Sequence, residues 1–114
     1  MVDFLKQQDE WEARARAAQS AAAQALERLL TLAESRDSDQ VRHIASFLAS
    51  TYNGADFSFD LFTLRAVDVQ ISDDMLTCLD ALRWGRADLY KLVPDGDRRI
   101  EAVCLECSVA RRTG

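Results

Sequence analysis

"FSFDLFTLRAVDVQISDDML", residues 57–76, admits two folds. The alternations Phe57-x-Phe59-x-Leu61 and Val67-x-Val69-x-Ile71 suit two strands of a hairpin. Its turn would fall in "TLRA", Thr63 to Ala66, which has no Gly, Asn, Asp or Pro. Tight hairpin turns need residues that accept positive φ, and these four do so poorly. In the helical alternative an acid precedes each apolar run. Asp60 stands before Leu61, Phe62 and Leu64, predicting a short helix. Asp68 stands before Ile71, Met75, Cys78, Leu79 and Leu82, which keep helical spacing up to Gly85. That series crosses the supposed strand boundary with steps of three and four. Helix is the expected structure, with Phe57 and Phe59 as apolar anchors on the preceding loop.

Upstream, Phe4, Trp11, Ala15, Ala18, Ala22, Ala25, Leu29 and Leu32 recur at alternating steps of three and four, with Gln8 interrupting. The segment has neither Gly nor Pro and is rich in strong helix formers. Asp3 can cap its start. Such a helix spans roughly 45 Å at ~1.5 Å per residue. A folded domain of this size has a radius of gyration near ~13 Å, so one end should project. The Ala-lined seam suggests close approach to another helix. "SRDSDQV" then breaks the pattern, with Asp37 or Ser38 as the next cap. Val41, Ile44, Ala45, Leu48 and Tyr52 form one stripe of the following helix, which Asn53-Gly54 should end as a left-handed stop. After Gly85, "RADLYKLV" reads as a short helix and Pro94-Asp95-Gly96 as a turn. Asp97 should cap a last helix carrying Ile100, Val103, Cys104 and Cys107. The expectation is an all-α domain of five to six helices. Residues 1–24 would form an extension continuous with a single helical domain at 25–110.

The 114 residues carry a net charge of -5, unevenly spread. Residues 37–82 hold eight acids against Arg42 and Arg65. Nucleic-acid affinity rests on Lys and Arg displacing counterions, so direct nucleic-acid binding is not expected. A helix-turn-helix around Gly85 ranks last for that reason. No apolar run reaches the ~20 residues of a membrane span, and the charged N-terminus lacks a signal-peptide apolar region. A cytoplasmic location is expected.

Catalytic constellations lack parts. Cys104-Leu-Glu-Cys107 falls late in a helix, where the dipole opposes a thiolate, and on the apolar stripe. Core packing is the expected role. Zinc would need further ligands such as Cys78 and His43. His43 is two residues from Val41, ~200° round a helix, and so points away from the apolar stripe. Asp73 and Asp74 diverge by ~100° and cannot both aim at one metal. No glycine-rich nucleotide loop occurs, and no cofactor is expected.

"ALERLLTLA" (25–33), "VRHIASFLASTYNGADFSFDL" (41–61) and "VDVQISDDML" (67–76) carry a resemblance. Residues from about 25 to 107 resemble domain of unknown function 7673, an uncharacterised family of small proteobacterial proteins. The resemblance implies a mainly helical fold and supplies no activity, cofactor or site residue. Such proteins resemble accessory genes of plasmids, integrated elements or phages. This chain departs from the family in its "MVDFLKQQDEWEARARAAQSAA" extension, and in "CLEC" where an aromatic residue is expected.

The leading expectation is a non-enzymatic interaction protein, homodimeric through Trp11, Ala15, Ala18 and Ala22, with His43 and Phe47 as a second contact. One alternative is an acidic inhibitor, a nucleic-acid mimic presenting Asp56, Asp60, Asp68, Asp73, Asp74 and Asp80 to the basic nucleic-acid-binding groove of a host defence complex. Another is a structural zinc protein using Cys78, Cys104 and Cys107.

Overall fold

Eight residues of one long helix, between Ala15 and Ala33, are buried by other parts of the chain, and long-range pairs show which parts do it. The computed structural model describes residues 2–36 and 39–109, and among them it is all helical, with no strand. Four α-helices, α1 (Val2–Ser35), α2 (Val41–Tyr52), α3 (Val69–Trp84) and α4 (Gly96–Glu106), are joined with two single-turn 3-10 segments, Leu61–Arg65 and Leu89–Leu92. The two expected short helices are therefore 3-10 turns. One such turn is too short to bury two adjacent side chains.

α1 and α3 pack antiparallel. Arg28 meets Asp74 near one end, and Arg14 lies over Trp84 near the other. Ala15, Ala18, Ala22 and Ala25 are almost wholly buried. Their small side chains let the two backbones approach closely. α2 packs on α4, and the Leu89–Leu92 turn touches α1, α2, α3 and α4. Leu26, Leu29, Leu30, Ile44, Leu48, Met75, Ile100 and Val103 fill the space between. The structure measures 52 × 32 × 28 Å with a radius of gyration of 15.2 Å. A compact chain of this length would have about 13 Å, and the long axis is that of α1.

Several helix ends differ from the expected caps. Asp60 does accept from the Phe62 N–H at 2.9 Å. Asp68 holds the cap position of α3 but makes no side-chain cap bond; its own N–H donates to Gln40 Oε1 at 2.6 Å. Asp3 sits inside the first turn of α1. Asp97 likewise lies inside α4, whose cap position belongs to Asp95 at φ 55°. Asn53 ends α2 with extended rather than left-handed backbone. Its Oδ1 instead accepts from the N–H groups of Ala55 and Asp56, both at 3.2 Å, an Asx turn. Gly85, at φ 65°, is the left-handed stop of α3. The expected cap at Asp37 or Ser38 lies outside the described residues.

Arg99 on α4 clamps the fold to α1. Its Nη1 and Nη2 donate to Glu27 at 2.8 and 2.9 Å, and its Nε and Nη2 to Glu34, both at 2.9 Å. Both carboxylates are partly solvated, which weakens the electrostatic gain. Hydrogen bonds from Arg99 hold the Glu27 carboxyl below its ordinary value of 4.5. A depressed carboxylate stabilises the fold above its unfolded pKa and loses that contribution as pH falls through the folded value. Arg99→Ala should therefore destabilise by about 1–2 kcal/mol at pH 7. In urea melts the difference should shrink as pH is lowered below 4.5, and Glu27→Gln should blunt the acid loss in the parent. Gly96 offers a second test. A Cβ there would collide with the Tyr90 carbonyl group and lie 2.9 Å from Val93 Cγ2. Gly96→Ala should lower stability by about 2 kcal/mol despite alanine's better helix propensity.

Candidate functional site

A helical seam needs covering along its whole length, and on α1 the cover stops early. Ala15 is 1% exposed, and no described residue before it is buried. Glu12 pairs with Arg86, just past the end of α3, and with Arg16 at 4.0 Å. Trp84 has Arg14 and Arg83 over its ring, at 5.3 and 5.0 Å from the centroid. These contacts mark where α1 leaves the body. Beyond them the same line of the helix continues as Trp11 and Phe4, 43% and 57% exposed, with Leu5 beside them. Seven residues make ~700°, so Phe4 and Trp11 lie within about 20° of one another. The lone polar residue of this line is Gln8. Lys6 and Asp9 fall well over 100° from it, while Asp3 and Glu10 border it at about 80–120°.

This placement corrects part of the expected interface. Ala15, Ala18 and Ala22 are buried within the chain and are not a surface for a second molecule. Trp11 remains exposed. Phe47 is also buried, its ring edge-on to Phe59 at 5.3 Å and 73°. His43 is exposed as its helical phase requires. The two are therefore not joint contacts on one surface.

The acids divide among separate tasks. Asp74 accepts from Arg28 Nη2 at 2.8 Å and Nε at 3.1 Å, and Asp80 from Arg83 at 2.7 Å. Asp56 accepts from Asn53 Nδ2 at 3.0 Å. Asp68, Asp73 and Asp74 line an open cleft of about 860 Å³ between α1 and α3, while Asp80 lines another with Ala17, Ala21 and Leu76. Asp56 and Asp60 line neither. Asp73 is exposed while Asp74 turns inward, as residues ~100° apart on a helix must.

Cys78 is fully buried beneath α1, and burial pushes its thiol up to about 12, with Asp74 adding to the shift and Arg28 opposing it. Cys104 is half-buried and raised by burial first and by Cys107 second. Both residues of "CLEC" pack against the core edge. Among the described residues no three His, Cys, Asp or Glu side chains converge as a metal-ligand set. No helix of the described residues is long and apolar enough to cross a membrane.

Sequence reasoning missed the apolar surface at Leu61, Phe62 and Val69, which are 70%, 67% and 73% exposed. The signal was present: Leu61 and Phe62 are adjacent, so one helical face cannot bury both.

No curated protein and no solved structure matches the chain. Residues 23–107 match the family of unknown function DUF7673, and the chain belongs to that family. The exposed start of α1 lies outside the matched region. For the thiols, native protein treated with Ellman's reagent should release two equivalents. The third, from Cys78, should appear only with denaturant; three equivalents under native conditions would contradict its burial.

Proposed function

We propose that this protein acts as a helical interaction module without catalysis of its own, and that it self-associates through the exposed start of α1. One observation carries the reading. The apolar line that α3 covers from Ala15 onward continues uncovered through Trp11 and Phe4. Its pitch is set by the same helix, so a second copy can meet it as α3 meets the alanines, with side chains interleaving at steps of three and four. Trp11 would be the chief anchor, since aromatic residues dominate the energetics of small interfaces. A two-fold arrangement places the same line on both partners and closes the assembly at two copies.

The acidic-inhibitor reading has less support. Asp74 and Asp80 are neutralised by Arg28 and Arg83, Asp60 caps a turn, and Asp56 bonds to Asn53. A nucleic-acid mimic needs carboxylates free and spaced along one surface.

Removing residues 1–20 would strip Ala15 and Ala18 from the core and confound the test. Phe4→Glu and Trp11→Glu leave the core intact. Sedimentation of the parent should give a dimer mass, with each substitution weakening association at least about tenfold. Monomer masses for parent and variants alike at the highest soluble concentration would refute self-association by this route.

A further inference from the structure

Leu61, Phe62 and Val69 sit on two elements in contact, the Leu61–Arg65 turn and the start of α3. All three are at least two-thirds exposed. The Arg65 guanidinium lies 4.8 Å from the centre of the Phe62 ring, steadying one side chain of the patch. Leu76, 51% exposed, stands seven residues after Val69 and extends the same face along α3. Apart from Arg65, the charges around this corner are acidic. Asp60, Asp68 and Asp73 are exposed and enter none of the ion pairs of the described residues. Arg65 is committed to the Phe62 ring.

Large exposed apolar patches with a polar rim mark places where another molecule docks. The rim here selects the occupant. Polynucleotides are repelled by it. The chain's own free helix start is also a poor fit, because residues 3–12 carry Asp3, Asp9, Glu10 and Glu12 against Lys6 alone. What suits an apolar ridge edged with three carboxylates is an amphipathic helix whose apolar stripe is flanked by Lys or Arg.

We propose that the corner built by Leu61, Phe62 and Val69 docks a basic amphipathic helix of a partner protein, its cationic flanks meeting Asp60, Asp68 and Asp73. The contact lies toward the opposite end of α3 from the free start of α1 and does not depend on self-association.

The test titrates the full chain with three synthetic peptides of about 18 residues, long enough to be helical. One is a Leu/Lys helix with Leu at amphipathic spacing, one its Glu-for-Lys twin, and one a scramble of the Leu/Lys sequence. Calorimetry reads affinity and amide chemical shifts read location. The amphipathic Leu/Lys helix should bind most tightly, with shifts concentrated between residues 60 and 76. Leu61→Ser with Val69→Ser should weaken it at least about tenfold. Asp68→Asn with Asp73→Asn should weaken it several-fold and reduce its salt dependence. Leu105→Ser, an exposed apolar control on α4, should change nothing. Equal binding of the scramble or the Glu twin, shifts elsewhere, or indifference to the Ser pair would overturn the proposal. Corner shifts that follow protein concentration without peptide would overturn it in favour of a second copy.

Discussion

A 34-residue helix packed against a 16-residue one cannot be covered along its length. At ~1.5 Å per residue α1 is about 51 Å long and α3 about 24 Å. α2, α4 and the Leu89–Leu92 turn also pack on α1, but the first buried position among the described residues is Ala15. This mismatch sets the elongated shape and the apolar overhang. It also fixes the close packing of the central portion, where alanines rather than leucines face α3. Larger residues at Ala18 or Ala22, both in the core cluster, would push the helices apart.

Charge closes the fold at its edges. Arg28–Asp74 joins α1 to α3, Glu12–Arg86 ties α1 to the segment after α3, and Arg99 with Glu27 and Glu34 joins α1 to α4. The interior needs none of this: among the described residues no polar or charged residue is buried, and no buried side-chain nitrogen or oxygen lacks a partner. The ion pairs therefore register helices that hydrophobic burial already brings together. They also remove Asp74 and Asp80 from the acidic surface that composition suggests. The uncompensated carboxylates that remain border an apolar corner instead of forming a continuous face.

The helical nature of residues 57–76 was legible because a hairpin turn lacked its residues. The α2 stripe of Val41, Ile44, Ala45 and Leu48 was legible because each falls on one helical phase. His43 pointed outward for the same reason. Phe47 was misread: it lies off that stripe, yet it belongs to the core, with Phe59 from the loop packed edge-on against its ring. Asp68 stands at the expected cap position but makes no side-chain cap bond, its N–H donating to Gln40 instead, while a left-handed Asp95 took the cap position expected of Asp97. The exposure of Leu61 and Phe62 was not read from the sequence, because their apolarity was used only to place a short helix and not to ask how many faces a single turn can bury.

Helical class, the period of the seam, and its continuation through Phe4 and Trp11 were determined by the sequence itself. They are local properties, fixed within one or two turns by backbone hydrogen bonding and side-chain spacing. Which part of that seam lies inside the molecule was decided only by tertiary structure. It depends on where α3 ends and on pairs as distant as Arg28 with Asp74, 46 residues apart, and Arg99 with Glu27, 72 apart. Nothing in the repeat of the seam distinguishes Ala15 from Trp11; the reach of the neighbouring helix does.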